Sequence, residues 1–574
     1  MDQKLSISAS FRSIAGSKAC NEDCAISHVP QEKYLRENKG VILAIADGVS
    51  SAEAGGEASY EAINRFVDEY FKAPNIWSVA KSGQNILSIL NLHLYKKSLS
   101  YVLTSKGYLT TFSAVVIKGK TAHFFHVGDS RIYHLRDNEL KQCTNDHFTS
   151  ISDERTSISR AIGMDSQLDI DYGKISLEEG DRFLLTTDGV HDFIEHDTLT
   201  HLLSDEPRTD VIIEKIIDLA VRNDSNDNIS AVTAVIDSLP SSDADDPQIA
   251  LNQVSFPPHL TTGMEIDGYT IERKLFSSDR SHIYLVRDTL SNKCYAMKTP
   301  SLNYEDDDAY ITRFIREEWV GSRVSSPYIV KVEYQSKARH YLYYLMDYVQ
   351  GVSLDKWIQQ NQPPSPKQVK KIIASLTKGV MALHENGTIH QNLKPENIII
   401  LPDHTAVILD FGSVYVSGLC ELADPREQDQ ALELAPYSDP LLLLGNKPGF
   451  QTDVYSLACI VYETFTGHLP FNDKIEACRS KLELEQIRYV PAASYNAVIP
   501  VWFDSALEKS LSFDTQHRYA TVESMMKDML EPNPDFLKDD PLVNQKSNQL
   551  VFWKLISGFW LVTLLLLAYF FSKS

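Results

Sequence analysis

The sequence predicts a multidomain α+β chain with two globular domains, a linker between them and an apolar helix near its end. Three observations predict this architecture. The chain has 574 residues, which is too long for one hydrophobic core. Predicted strands that end in acidic residues occur among amphipathic helices up to residue 238, and a second series of strands followed by long helices begins at residue 265. Residues 555–571 contain no charged side chain.

The composition narrows the possible partners and the compartment. A net charge of -22 argues against nucleic acid as the main partner, because phosphate backbones are bound by patches of Lys and Arg. The seven cysteines are spread along the chain, and only Cys20 and Cys24 lie close together, so no second close pair completes a zinc site. No secretory signal opens the sequence. We therefore expect the two large domains to be cytoplasmic and reduced.

Acidic turns close several predicted strands of the first 238 residues. The apolar run 41–46 predicts a strand buried on both faces, and it ends at Asp47-Gly48. A hard cation takes carboxylate, carbonyl and water oxygens together, although a single Asp-Gly turn is common without any metal. Three further strand ends carry Asp129, Asp188 and Asp227. Together they predict one shared site of oxygen ligands between sheets.

The order of these pieces closely resembles the metal-dependent Ser/Thr protein phosphatases of the PPM type, also called type 2C. The matching motifs are NED at 21–23, ADG at 46–48, LTT at 109–111, VGDSR at 127–131, RAIG at 160–163, GDRFLLTTDG at 180–189 and NDNIS at 226–230. The resemblance covers residues 1–238. It implies an α-β-β-α sandwich that dephosphorylates phosphoserine and phosphothreonine in proteins.

The resemblance also implies a site for two or three Mn²⁺ or Mg²⁺ ions. The implied ligands are Glu22, Asp47, the Gly48 carbonyl, Asp129, Asp188 and Asp227. Asp47 would bridge two ions, Glu22 would hold one, directly or through water, and Asp129 would serve a third, weaker site. Two such ions lower the pKa of a shared water, which attacks phosphorus in line.

Two departures from the family pattern affect this site. Lys18 stands where the family has an arginine that grips the substrate phosphate. A lysine supplies a point charge without the bidentate fork, so we expect weaker or differently shaped phosphate binding. Residues 49–52 replace the glycines and histidine that often follow the Asp-Gly. No side chain is therefore assigned to protonate the leaving oxygen.

A second domain follows an acidic linker that contains Pro and Ser, predicted over residues 239–264. The motifs YAMK at 295–298, IHQNLKPENIII at 389–400, LDFGS at 409–413 and DVYSLA at 453–458 resemble those of eukaryotic-type protein kinases. The resemblance covers residues 265–531. It implies a bilobal fold that binds ATP-Mg²⁺ and phosphorylates Ser or Thr.

The kinase resemblance assigns roles to single residues. Lys298 would contact the nucleotide phosphates and pair with Glu317 of a helix predicted over 311–324. Asn397 and Asp410 would hold the metal ion of the nucleotide. Lys394 matches the lysine of the catalytic loop.

The same motifs show losses that put catalysis in doubt. Asn392 replaces the aspartate that orients the substrate hydroxyl, and losing a general base costs about 10²–10⁴ in rate. Gln391 replaces the neighbouring arginine. The three glycine positions of the phosphate-binding loop are Phe276, Ser278 and Ser281. Asp439-Pro440-Leu441 stands in place of the family's Ala-Pro-Glu, so we expect Arg518 to lack its usual glutamate partner.

The tail predicts a membrane anchor. A polar spacer over 532–549 leads into an apolar stretch over 550–571, about the 20 residues that a transmembrane helix needs. Lys554 can snorkel, and Trp553 suits an interface. We therefore expect a single-pass protein of the cell inner membrane with both domains in the cytoplasm.

Three functional hypotheses remain open. The first is a bacterial signalling enzyme with opposing phosphatase and kinase activities on phosphoprotein substrates. The second is an active phosphatase regulated by a pseudokinase module that binds a nucleotide or a partner. The third is a scaffold with neither activity.

Overall fold

The computed structural model describes residues 5–75, 77–101, 107–152, 155–240, 255–333, 339–416, 436–471, 475, 478 and 480–537. A first domain lies within residues 5–240 and a second within residues 255–537. In these ranges no helix combines the length and the apolar character that crossing a bilayer requires. The membrane helix predicted over 550–571 lies outside the described residues.

Two antiparallel five-stranded sheets form the centre of the first domain. Its strands are β1 (Ser6–Ile14), β2 (Asp23–His28), β3 (Val41–Asp47), β4 (Phe112–Lys118), β5 (Thr121–Val127), β6 (Arg131–Arg136), β7 (Glu139–Gln142), β8 (Phe148–Ser152), β9 (Arg155–Ile158), β10 (Asp171–Ser176), β11 (Arg182–Thr186) and β12 (Ile229–Ser238). One sheet has the order β1-β12-β11-β6-β7 and the other β10-β5-β4-β3-β2, while β8 and β9 form a separate hairpin.

Helices cover the outer face of each sheet. They are α1 (Lys33–Lys39), α2 (Gly55–Lys72), α3 (Val79–Ser98), α4 (Asp188–His191), α5 (His196–Asp205) and α6 (Thr209–Arg222). Along β3, Val41, Leu43 and Ile45 pack in the core between the sheets. Ile42 and Ala44 point the other way, into the core beneath α2 and α3. The predicted strand is thus buried on both faces, and the predicted α-β-β-α layering is confirmed.

The second domain has two lobes. The N-terminal lobe is a sheet of the order β13-β14-β15-β16-β18-β17 with one long helix, α7. The bounds are β13 (Glu265–Ile266), β14 (Tyr269–Ser277), β15 (Ser281–Asp288), β16 (Cys294–Pro300), α7 (Asp308–Arg323), β17 (Val332–Glu333) and β18 (Tyr344–Asp347).

The C-terminal lobe is largely helical. Its helices are α8 (Leu354–Gln360), α9 (Pro366–Glu385), α10 (Pro440–Leu443), α11 (Phe450–Thr466), α12 (Lys481–Gln486), α13 (Val501–Ser510), α14 (Val522–Leu530) and α15 (Pro534–Leu537). Its short strands are β19 (Val352–Ser353), β20 (Thr388–Ile389), β21 (Ile398–Ile400), β22 (Ala406–Ile408) and β23 (Tyr415–Val416). The bilobal prediction is confirmed.

The later part of the predicted linker lies against the second domain. Phe256 and Leu260 are buried, and Leu260 belongs to the core of the N-terminal lobe. Ser255 forms a parallel bridge with Tyr341. The last residues of this segment, 255–264, therefore pack on the second domain.

Candidate active sites

Buried aspartates meet at the ends of the central strands of the first domain. Asp47 ends β3 and lies opposite Asp23, which begins β2, in the antiparallel register. Burial raises the pKa of Asp47 well above its usual value, and the nearby charges of Asp23, Asp188 and Asp129 raise it further. Folding therefore brings together four carboxyl groups that lie far apart in the sequence.

Burial and repulsion between like charges also raise the pKa values of other carboxyl groups in this cluster. Burial, followed by the charge of Asp227, raises the pKa of Asp188 to about 6. Burial, with the charge of Asp188, raises the pKa of Asp129 to about 7. Buried carboxylates of like charge need a nearby cation to remain ionised. Lys18 supplies one, with Nζ 3.1 Å from Asp227 Oδ2.

The donor set of this cluster fits hard divalent cations. In the described part of the chain, Oδ1 of Asp23 and Oδ1 of Asp188 are buried without a hydrogen-bond partner. No group of three or more His, Cys, Asp and Glu side chains among those residues is arranged to hold an ion by itself. The unpartnered carboxylate oxygens of Asp23 and Asp188 fit hard ions such as Mg²⁺, which also take carbonyl and water oxygens.

Close packing places Gly48 and Glu22 beside Asp47. The Gly48 amide donates to the Glu22 carbonyl at 3.1 Å. A Cβ at position 48 would lie 2.4 Å from the carbonyl carbon of Gly55, at the start of α2, so the turn requires glycine. The Glu22 amide donates to Asn228 Oδ1 at 2.9 Å. The turn that contains Glu22 is thereby held next to the turn after β3.

Hydroxyl groups of the LTT motif hold the backbone of Asp47. Its amide donates to Thr111 Oγ1 at 2.9 Å, and its carbonyl accepts from Thr110 Oγ1 at 2.8 Å. Thr111 Oγ1 lies 2.8 Å from Ser130 Oγ. The LTT and VGDSR motifs therefore fix where the Asp47 carboxylate sits, and Ser130 connects this support to the neighbouring Asp129.

The sequence prediction missed two residues of this site. Asp23 accepts a hydrogen bond from Thr187 Oγ1 at 3.0 Å, and its pKa is raised by burial to about 6. Asn228 Nδ2 donates to the carbonyls of Ala15 and Cys20 at 3.0 and 2.9 Å, which ties the segment containing Lys18 to β12. Both lie inside the motifs NED and NDNIS. The hairpin register of β2 and β3 would have indicated Asp23.

In the second domain, Lys298 of β16 lies at the centre of a buried ionic cluster. Its Nζ donates to both carboxylate oxygens of Glu317, at 3.1 and 2.9 Å, and to Asp410 Oδ1 at 2.9 Å. Burial lowers the pKa of Lys298, but the charges of Asp410 and Glu317 outweigh it and hold the pKa well above its usual value. Tyr344 donates a further bond to Glu317 at 3.0 Å. The Lys298–Glu317 pair thus joins β16 to α7 at the place where the sequence predicts that the nucleotide phosphates bind.

Asp410 and Asn397 complete this cluster. Asp410 has a φ of 59°, and Asn397 Nδ2 lies 3.4 Å from its Oδ2. A Cβ at Gly412 would lie 2.3 Å from Glu317 Oε1, so a larger residue there would displace that carboxylate. Lys394 directly precedes the 3₁₀ turn Pro395–Asn397. The structure therefore brings Lys298, Asn397 and Asp410 to one place.

The loop that carries Asn392 keeps its support. The amides of His390 and Gln391 donate to Asp453 Oδ2 and Oδ1 at 2.8 and 2.9 Å. Asn392 has an uncharged amide where the family has a carboxylate. The β14–β15 turn, which carries two of the altered glycine positions, closes through a 2.9 Å bond from the Ser278 amide to the Ser281 carbonyl.

Arg518, which we expect to lack its usual glutamate partner, pairs instead with an aspartate. Both terminal nitrogens of Arg518 donate to the carboxylate of Asp439, and both side chains are buried. The acid sits one position before Pro440, whereas the family motif places it after its proline. Asp439 also accepts from the Leu441 amide at 3.1 Å and so begins α10.

Comparison with known families identifies both domains. The family described as Protein phosphatase 2C matches residues 17–224, and the family described as Protein kinase domain matches residues 269–535. The chain carries a protein phosphatase 2C domain and a protein kinase domain.

The kinase domain is similar to curated bacterial kinases. It is 28% identical over 265 residues to a probable serine/threonine-protein kinase PknB of Lactococcus lactis, which covers 46% of this chain and 42% of that protein. It is 27% identical over 271 residues to the serine/threonine-protein kinase PrkC of Bacillus subtilis, covering 47% and 41%. The chain thus spans about two fifths of the length of these relatives.

The phosphatase domain aligns with solved bacterial phosphatases. The serine/threonine phosphatase Stp1 of Staphylococcus aureus is 24% identical and covers 41% of this chain and 98% of its own, with a TM-score of 0.37. The catalytic domain of the phosphatase PstP, solved in complex with two manganese ions, is 26% identical and covers 41% and 100%, with a TM-score of 0.35.

Proposed function

We propose that this chain is a bifunctional signalling enzyme that removes phosphate from phosphoserine and phosphothreonine proteins and transfers phosphate to proteins from ATP. The observation that carries the first activity is the cluster of like-charged carboxyl groups that folding gathers around Asp47. We assign Glu22, Asp47, the Gly48 carbonyl, Asp129, Asp188 and Asp227 as ligands of two or three Mn²⁺ or Mg²⁺ ions.

The bound ions would supply a nucleophilic water and neutralise the phosphoryl oxygens. The chain's own residues would bind and orient the substrate. Lys18 is 39% exposed and ion-paired with Asp227, so its ammonium group can reach a phosphate at the edge of the cluster. Asn228 and Thr111 would hold the ligand-bearing turns in place. No side chain is assigned to protonate the leaving oxygen.

The phosphatase activity is tested by phosphate release from phosphoserine and phosphothreonine peptides with and without Mn²⁺. We expect the full chain to release phosphate only with the metal, and Asp47→Asn to abolish release. Asp197→Asn is a matched control, because Asp197 is exposed on α5, outside the cluster. Release by Asp47→Asn at the rate of the full chain would refute the assignment.

For the kinase domain, we propose that Lys298, Asn397 and Asp410 bind ATP-Mg²⁺ and that turnover is slow. Phosphoryl transfer depends mainly on positioning and electrostatic stabilisation, so the missing carboxylate at Asn392 lowers the rate without removing every contribution. The missing carboxylate at Asn392 also favours an alternative. In this alternative the domain is a pseudokinase that binds a nucleotide or a partner and regulates the phosphatase.

Incorporation of labelled γ-phosphate from ATP into protein distinguishes these two functions. The measurement uses an Asp188→Asn background, because an active phosphatase domain would erase the product. Incorporation that Lys298→Met abolishes would establish kinase activity. Nucleotide binding without incorporation would establish the binding module instead.

The remaining proposals concern organisation and location. We assign residues 1–238 to the phosphatase domain, 239–264 to the connecting segment, 265–531 to the kinase domain and 532–549 to a spacer. We propose that residues 550–571 anchor the protein in the bacterial inner membrane with both domains in the cytoplasm. Expression in a bacterium should place the full chain in the membrane fraction, and a chain ending at residue 549 should leave it.

A further inference from the structure

The phosphatase domain lies directly against helix α7 of the kinase domain. The indole rings of Trp77, just before α3, and Trp319 of α7 meet edge to face with centroids 4.8 Å apart. Arg323 Nε donates to Glu69 Oε2 of α2 at 2.6 Å, and the Arg323 guanidinium stacks over the Trp319 ring at 4.7 Å. Arg323 is only 4% exposed, so this pair is buried between the domains.

Two different sides of α7 face the phosphatase domain and the nucleotide site. Trp319 and Arg323 are four residues apart and share the side that faces the phosphatase domain. Glu317 and Gly321, also four apart, share the side that faces the nucleotide site. A Cβ at Gly321 would lie 2.3 Å from Val332, inside the N-terminal lobe. The helix that carries Glu317 is therefore held between Lys298 on one side and the phosphatase domain on the other.

Helix α3 reaches the other lobe as well. It follows Trp77, and near its end the ammonium group of Lys96 lies 4.7 Å from the ring centre of Phe450, which begins α11 of the C-terminal lobe. A helix of 20 residues spans about 30 Å. The phosphatase domain thus contacts both kinase lobes, on either side of the cleft in which Lys298 and Asp410 meet.

This contact carries a cost that undocking would remove. Nε1 of Trp77 and Nε1 of Trp319 are both buried without a hydrogen-bond partner among the described residues. Exposure of these groups to water would satisfy both N–H groups. The docked arrangement is therefore favoured by apolar burial and the Glu69–Arg323 pair, and opposed by two unsatisfied donors.

We propose that the phosphatase domain is a built-in brace for the kinase nucleotide site, with Glu69 and Arg323 as positioning residues that hold Glu317 against Lys298. By linkage, a nucleotide that favours the Lys298–Glu317–Asp410 arrangement also favours docking of the phosphatase domain. This inference rests on the proposed binding of ATP-Mg²⁺ by the kinase domain.

A charge swap in the full chain tests the brace. The variants are Glu69→Arg, the double variant Glu69→Arg/Arg323→Glu, and Asp68→Arg as a matched control, because Asp68 is the exposed neighbour on α2. We expect Glu69→Arg to weaken ATP-Mg²⁺ binding about five- to 150-fold and to speed hydrogen exchange in residues 308–323. The control should behave as the unaltered chain, and the swap should restore both quantities.

Each outcome decides the proposal. Unchanged ATP-Mg²⁺ affinity and exchange in Glu69→Arg would overturn it. A loss that the swap does not restore would point to damage within α2 and would also overturn the role of the pair. If the unaltered chain fails to bind ATP-Mg²⁺, the kinase half of the proposed function fails. Hydrogen exchange in residues 308–323 then decides the brace alone.

Discussion

Arg518 and Asp439 form a buried ion pair that joins α10 to the segment before α14 in the kinase domain. The Arg518 guanidinium also donates from Nε to the Ser512 carbonyl at 2.9 Å and from Nη1 to the Gln451 carbonyl at 3.0 Å. It therefore holds three segments of the C-terminal lobe together. The C-terminal lobe keeps this ion pair although Asp439 precedes Pro440, whereas the family motif has its glutamate after the proline.

Removing the acid should destabilise the kinase domain strongly. Asp439→Asn leaves a buried guanidinium without its counterion, which typically costs about 3–5 kcal/mol. The midpoint of the kinase-domain transition in urea should fall accordingly. Asp403→Asn is the comparison, because it breaks an exposed pair with Lys371 and should leave the midpoint unchanged. Equal midpoints for the two variants would contradict the role of Asp439.

Asp23 should matter for metal binding although it was not predicted as a ligand. Its carboxyl group accepts from Thr187 Oγ1 at 3.0 Å, and Asp23 lies opposite Asp47 in the register of β2 and β3. Groups that orient a metal ligand typically change affinity 10- to about 100-fold when they are removed. We expect Asp23→Ala to weaken Mn²⁺ binding in this range in a calorimetric titration. Unchanged affinity would show that Asp47 is held by its backbone bonds alone.

Restoring the missing carboxylate should raise the kinase rate. In the Asp188→Asn background, Asn392→Asp returns a base to a loop whose backbone Asp453 already holds. We expect phosphate incorporation to rise about 10²–10⁴-fold. Asn386→Asp, at the end of α9, is the control for an added charge and should have no effect. A null result for Asn392→Asp would favour the pseudokinase alternative.

Glu61 should make the stability of the phosphatase domain depend on pH. Burial raises its pKa, but the close His93 imidazole and the Lys97 ammonium group outweigh burial and lower it to about 2. Because the folded-state pKa lies below the ordinary value of 4.5, this stabilisation is present above that value and is lost as the pH falls towards about 2.

Glu61→Gln should therefore lower the melting temperature near neutral pH and have less effect in acid. Melting curves taken from about pH 7 to about pH 3 would show the gap between the variant and the unaltered chain closing. A gap that stays constant over this range would mean that the Glu61 carboxylate contributes packing and no charge interaction.

Local pattern was enough to predict much of both sites. Asp47, Asp188 and Asp227 stand in short motifs at strand ends, and strand ends are readable from an apolar run followed by a turn. The structure brings these carboxylates together at the ends of facing strands. Lys298 and Glu317 are likewise 19 positions apart on predictable elements and meet as expected.

Other features depend on tertiary geometry that no motif encodes. The Asp439–Arg518 pair joins residues that lie 79 positions apart in the sequence. Its acid precedes Pro440, whereas the family motif places the acid after the proline. The Trp77–Trp319 contact joins two domains, and an isolated tryptophan gives no sign of its partner. Asp23 was overlooked because its role depends on the register of β2 and β3.

The most direct test of the account is a calorimetric titration of the purified chain with Mn²⁺. If folding gathers the carboxylates around Asp47 into one cation site, the chain should bind at least two ions, as expected of a two-metal phosphatase site. Asp47→Asn, which removes the carboxylate at the centre of the cluster, should lose this binding while its circular dichroism stays unchanged. A folded chain that takes up no Mn²⁺ would contradict the central claim.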